Sequence, residues 1–368
     1  MGEIRAFSEE YLDDIADLYL KAMRGQNRKA PQSLKDYFRD ILLNNPWVTP
    51  EIPSIMYLDG GRPVGFMGVI PRPMQFKGQP IRAGVGAQFF VDRKLHRGPA
   101  AIEILRAFLR GPQEITFTDG SGEDSSIVWR AVGAQVARMQ SFNWMRILRP
   151  IEAGRAMFDR TGGTVSGLKG ISGLLARPLD NLVSKLPVSM LKPPRSRYST
   201  RLAEVDELFE CIQELNWREP LKPAYRLAEF RWLIGQALRV NNLGKLRLLT
   251  VHAPDGSRCG SLVYYAKPRG SAYVLQIGWR RRDHFPEILS ALFADAYEQG
   301  QYAVKGQAIP QFIVQMSEQY CIFRQLNACV VGHSRNPEIF DAFVSGNNAM
   351  SRLDGECWLR FPLENWTS

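Results

Sequence analysis

No run of about 18 apolar residues occurs in the 368-residue chain, so no segment is expected to cross a bilayer as a helix. Cysteine is sparse: Cys211, Cys259, Cys321, Cys329 and Cys357 are an odd number and contain no C-x-x-C pair. That spacing excludes a disulfide framework and a thiolate zinc site, and fits reduced, buried thiols. Histidine is sparser still. His96, His252, His284 and His333 are isolated, so no metal is expected. Met1 to Arg5 lack the basic and apolar regions of a secretory signal, which points to a cytoplasmic protein. Basic residues are not interleaved with aromatics in a stripe, so nucleic acid is disfavoured as a partner despite a formal charge of +10.

What is present is a soluble globular composition, 45% hydrophobic and 23% charged, at a length that favours two domains. Much of the positive excess lies between Arg155 and Arg197, in a stretch interrupted by Gly162-Gly163, Gly167, Gly170 and Gly173. Leu179, Leu182, Val183 and Leu186 there mark one side of a short basic helix. It reads either as a linker helix or as a peripheral contact with an anionic membrane surface through 155–197.

The clearest local signal runs from Gly86 to Pro112. Ala87 to Val91 is a short apolar run suited to a buried strand. Arg93, Lys94 and Arg97 form a basic turn, Gly98 is the expected N-cap, and Pro99 suits the first helical position. Ala101, Ile104, Leu105 and Phe108 recur on one helix face until Gly111-Pro112, where a left-handed glycine cap is expected. A helix N-terminus beside basic residues favours a phosphate, although such connectors are common in α/β proteins.

Around this stretch the chain reads as a strand at Ile4–Phe7, a helix capped by Ser8, and a second helix capped by Ser33. A hairpin follows over Ile55–Ile70, then a strand to Val91, the helix 99–110, and a strand at Glu114–Thr118. Asp119-Gly120-Ser121-Gly122 reads as a turn, Ser125–Val132 as a helix, and Met145–Leu148 as a returning strand. The second half repeats the order about 190 residues later, with helices at Leu202–Leu215 and Leu227–Leu238, a hairpin over Leu246–Ala266, a strand at Tyr273–Gly278, a helix opened by Pro286, and a strand from Ala303.

The order β-α-α-β-β-β-α-β-α-β resembles the GCN5-related N-acetyltransferase (GNAT) superfamily. Two fused copies are similar to FemABX-type transferases and exopolysaccharide-linked relatives. The expected fold class is α/β with mixed α+β sheets, in two tandem GNAT-like acyl-CoA N-acyltransferase domains. These are 1–150, binding acyl-CoA; a basic linker, 151–200; and 201–368, with a degenerate cofactor motif. The resemblance implies fourth and fifth strands that splay apart, the thioester arm hydrogen-bonded in the gap, and the pyrophosphate on the following turn. The family's Arg/Gln-x-x-Gly-x-Gly/Ala motif falls on Arg97-Gly98-Pro99-Ala100-Ala101-Ile102. It implies Phe89, Phe90, Val91, Arg97, Gly98, Ala100 and Ala101 as cofactor-binding residues. The second copy, Arg280 to Pro286, has no such glycine, which favours the first as the donor site.

The family's usual acid, a Tyr four residues before a Gly, falls on Trp129 before Gly133, and an indole N–H has no useful acidity. Catalytic candidates are instead Asp119, Glu123 and Asp124, just past the fifth strand, where burial would tune one as a base. The other reading of that cluster is a solvated turn with Asp119 capping the next helix. Ser334–Asn336 and Ser351–Glu356 either shape an acceptor pocket or serve as turns. The expected activity is transfer of an acyl group from acetyl-CoA, a longer acyl-CoA or an acyl carrier protein to an amine acceptor, a sugar or lipid-linked glycan among them. The alternative is a catalytically inert tandem scaffold that binds a partner or an anionic membrane.

Overall fold

The computed structural model describes residues 2–92, 99–160, 178, 180, 193–215, 218–325 and 328–367. The basic turn Arg93–Gly98 and Leu179, Leu182, Val183 and Leu186 of the basic linker lie outside the described residues. No helix among the described residues is long and apolar enough to cross a membrane. The chain divides into two compact units. The first comprises 1–141, 219–229 and 325–368, and the second comprises 142–218 and 230–324.

In the first unit, β1 (Glu3–Ala6), β2 (Ile55–Asp59), β3 (Arg62–Phe76), β4 (Gln79–Val91) and β5 (Ile115–Gly122) lie in that order across one sheet. The sheet continues with β15 (Ala328–Ser334) and β6 (Gln135–Val136), and β9 (Leu221–Pro223) pairs with β3. In the second unit, β8 (Ser199–Leu202), β10 (Lys245–His252), β11 (Arg258–Ala266), β12 (Ser271–Trp279) and β13 (Ala303–Gln307) follow the same order. That sheet is completed by β7 (Phe142–Ile147) and β14 (Ile322–Gln325). β15, from the second half of the chain, therefore completes the first sheet, and β7, from the first half, completes the second. Each sheet keeps β4–β5 or β12–β13 as its parallel pair.

The helices are α1 (Leu12–Arg24), α2 (Gln32–Phe38), α3 (Ala100–Leu109), α4 (Glu123–Ala131) and α5 (Pro150–Arg160), then α6 (Val205–Leu215), α7 (Leu227–Leu238), α8 (Phe285–Glu298), α9 (Ile313–Glu318), α10 (Pro337–Ser345) and α11 (Arg360–Leu363). α1 buries Leu12, Ile15, Ala16, Leu18, Tyr19 and Leu20, as their spacing dictates. It ends at Gly25, whose left-handed φ of 64° a residue with a Cβ adopts only at a cost. α3 packs Ile104, Leu105 and Phe108 against Tyr57, Val64, Met67 and Trp129 in the core of the first unit. The second core gathers Trp144, Leu262, Tyr264, Leu289, Phe293 and Val304.

Several local expectations change. α2 starts before Ser33, with Pro31 at its N-cap. Ser8 precedes a short 3-10 turn (Glu9–Tyr11) and forms no side-chain cap. Pro99 occupies the N-cap of α3 itself. Gly111 is not left-handed: the Gln113 side chain folds back to donate to the Phe108 carbonyl at 2.6 Å, and a Cβ on Gly111 would overlap it. Asp119–Gly122 is strand rather than turn, because Ser121 and Gly122 pair with Cys329 and Ala328. The residues that hold it extended come from the far end of the chain.

Candidate active site

Pairing between β4 and β5 begins at Ala83/Ile115 and stops at Val85/Phe117. Beyond that point β5 bonds to β15 on its other edge, and the facing edges of β4 and β5 carry no further pairing to one another. β4 bends here. Its register with β3 shifts between Phe66 and Gly68, and Gln88 takes a left-handed φ of 59°, strain worth about 1–2 kcal/mol. The Asp92 N–H bonds to the Val64 carbonyl at 2.9 Å, so ladder alternation turns the Val91 N–H to the opposite edge.

A cleft opens where the strands part. Its inner part, about 400 Å³, is lined by Met67, Gly86, Gln88, Thr118, Trp129 and Glu356. Its outer part, about 680 Å³, runs past Phe90, Val91 and Asp92 to Ala101 in the first turn of α3, where helical N–H groups have no intrahelical partner. Met23, Phe89, Asp124 and Ser125 line both, so the two parts are continuous. Lys21, at the end of α1, pairs with the buried Asp92 at 2.7 Å on the outer wall.

The sequence candidates fall unequally around this cleft. Phe89, Phe90, Val91 and Ala101 line it, and Ala100 is buried beside them. Arg97 and Gly98 lie outside the described residues. Glu123 and Asp124 are exposed at the mouth, in the first turn of α4. Asp119 is buried and does not cap α4, whose N-cap is Gly122. Its Oδ1 accepts the backbone N–H groups of Glu356 (2.7 Å) and Cys357 (3.1 Å). Trp129 is 1% exposed and meets Phe108 edge-on, so the residue at the expected acid position is a core side chain that forms the cleft floor.

Glu356 is the residue that the local pattern could not place. One carboxylate oxygen accepts the N–H of the bulged Gln88 at 3.0 Å, and the other accepts the Thr118 hydroxyl. Loss of solvation pushes its pKa up to about 8; the Thr118 and Gln88 bonds oppose that rise, and the Asp119 charge adds to it. The segment that carries it is fixed on both sides. Ser351 and Asp354 form a capping box, Asp354 accepts the Tyr225 hydroxyl at 2.7 Å, and Asp119 holds the next two backbone amides. Gly355 is required there, because a Cβ would overlap the Asp119 carboxyl.

The corresponding place in the second unit is aromatic. The end of β12, the start of α8 and the turn before α9 contribute Trp279, Phe285 and Phe312, all buried. Phe285 and Phe312 stack at 3.8 Å between ring centroids, and Trp279 meets Phe312 edge-on at 4.9 Å.

The class follows from strand order, the parted parallel pair and the helix that follows it: the chain has the GNAT fold, present as two GNAT-like units. An Enterococcus faecalis protein described as a "Probable N-Acyltransferase" superposes with a TM-score of 0.58 at 10% identity, covering 92% of this chain and 74% of that one. A GCN5-related N-acetyltransferase of Anabaena variabilis gives 0.56 at 11% identity, with the same two coverages of 92% and 74%. One from Kribbella flavida gives 0.53 at 11% identity, covering 91% and 71%. No family model and no curated protein matches the sequence.

Proposed function

We propose that the protein is an acyltransferase that moves an acyl group from an acyl-CoA to an amine, with the donor bound in the first unit. The observation that carries this reading is the parting of β4 and β5 after Val85 and Phe117, which opens a continuous cleft to the start of α3. A thioester arm laid along Phe89–Val91 has strand N–H groups for its carbonyl, and a diphosphate at Ala100–Ala101 has the positive end of α3. Acetyl-CoA and longer acyl-CoAs are the donors proposed, an acyl carrier protein being the protein-bound equivalent. The acceptor is an amine, on a sugar or a lipid-linked glycan in the form closest to FemABX-type chemistry. Glu123 and Asp124 flank its approach, and Asp119 is buried, holding the Glu356 amide.

In this reading the second unit is structural, because buried, mutually packed aromatic rings stand at the end of its β12 and the start of α8. Isothermal titration of the full chain with CoA, acetyl-CoA and octanoyl-CoA tests the proposal. One site per chain with micromolar affinity is expected. Absence of binding across the series leaves the inert scaffold in its place.

A further inference from the structure

Resting on the acyl-transfer reading, we propose that Glu356, brought into the first unit's cleft by the C-terminal end of the chain, is the catalytic base that takes a proton from a primary ammonium acceptor. The inner cavity's described lining holds three carboxylates, Glu123, Asp124 and Glu356, and no basic side chain. Lys21, in the outer part, is paired with Asp92. Once Glu356 is ionised, such a lining attracts a cation and rejects an anionic acceptor. Of the three carboxylates, Glu123 and Asp124 are exposed at the mouth, whereas Glu356 lies at the strand bulge, hydrogen-bonded to Gln88 and Thr118.

Among the described residues, three groups act on the ionisation of Glu356 beside its loss of solvation. From β4 comes the Gln88 N–H, and from β5 the Thr118 hydroxyl and the Asp119 carboxylate. Next along the chain, burial pushes the Cys357 thiol well up, and the Arg352 charge opposes that rise. Titration at about 8 leaves Glu356 basic enough to take a proton from an ammonium and ionised often enough to do so. In the step, the Glu356 carboxylate removes one proton from R–NH3+. The amine lone pair then forms the C–N bond at the thioester carbonyl carbon as the C–S bond breaks. The second nitrogen proton goes to the departing thiolate. The products are the amide, free CoA thiol and protonated Glu356, which returns its proton to water. Asp119 is a positioning residue: it holds the Glu356 and Cys357 amides and raises the base's pKa with its charge.

The test uses the full-length protein, acetyl-CoA, and n-propylamine as a probe that remains an ammonium at pH 7 and at pH 9. Wild type and Glu356→Gln are expected to bind acetyl-CoA equally by calorimetry, which keeps the donor site separate from the base. Propylammonium binding to the CoA complex, followed by ligand NMR, should tighten 5- to 10-fold in wild type from pH 7 to 9. In Glu356→Gln it should be weak and flat. CoA release from acetyl-CoA with propylamine should fall about 10²- to 10⁴-fold in Glu356→Gln. Asp119→Asn keeps the oxygen acceptor and removes the charge, so its pH midpoint should move below that of wild type, which a merely structural Asp119 would not do. Equal propylammonium binding in wild type and Glu356→Gln, or no binding in either beside normal acetyl-CoA binding, overturns the proposal. Failure of acetyl-CoA to bind wild type instead removes the acyl-transfer reading itself.

Discussion

Glu356 joins stability to pH in a direction opposite to that of most carboxylates. Its folded pKa of about 8 stands above the ordinary 4.5, so between those values the native state holds a proton that the unfolded chain has released. Stability is therefore lost as pH rises through that window, by about 1.4 kcal/mol for each pKa unit separating the two states. Glu356→Gln removes the loss. Its melting temperature should exceed that of wild type by several degrees at pH 9, with the difference shrinking towards pH 5. A pair of thermal scans at the two pH values checks this, and equal pH slopes for the two proteins would contradict it. Gly355→Ala should cost about 1–3 kcal/mol in urea unfolding, because the added Cβ meets the Asp119 carboxyl that fixes the loop. The polar run Ser351–Glu356 and the acidic Asp119 were each visible in the sequence. Their contact joins residues 237 positions apart, and no spacing rule reports that.

At the scale of elements, the end of the chain is docked on the helices of its beginning. Phe361 is fully buried between Tyr37 and Phe38, each at 4.7 Å between ring centroids, and the Tyr19 hydroxyl donates to its carbonyl at 2.6 Å. Arg24 donates to the carbonyls of Phe361 and Glu364, and Arg28 to that of Trp366. Phe361→Ala should cost about 3–5 kcal/mol of stability by chemical denaturation, as for other large aromatic truncations in a core. The elements that obey local rules are the ones legible in the sequence. The α1 periodicity, the Asp59–Arg62 hairpin turn and the α3 face are set by neighbours a few residues away. β8 carries no local signal because Ser199–Leu202 is only four residues long and largely exposed, and acquires its strand character from β10. Asp119–Gly122 departs from its expected turn for the same reason: glycine and aspartate favour a turn until a partner strand supplies the ladder.

For the whole molecule, the internal repeat is legible as a recurrence of helix and strand patterns, but the exchange of β7 and β15 between the two sheets is not. Periodicity reports that a segment is a strand without saying which sheet it completes. The exchange bears on how the chain folds. β5 and β6 are joined in their sheet only through β15, from residues 328–334, and β13 meets β14 only through β7, from residues 142–147. Loop closure over such separations forms late, since long-range pairing must await the ordering of both partners. A fragment of residues 1–150 would leave the edge of β5 unpaired and the faces that cover Phe361 and Trp366 bare, which is the condition for aggregation. Expressed alone, it should be insoluble or should lack the sharp thermal transition of the full chain. Co-expression with a second fragment, 151–368, should restore soluble protein that binds acetyl-CoA, because the missing strand and the Glu356 segment are then supplied in trans. Circular dichroism melts and calorimetry on both preparations decide it. A cooperatively folded, acetyl-CoA-binding 1–150 fragment would mean that β15 and the C-terminal segment are dispensable to the first unit.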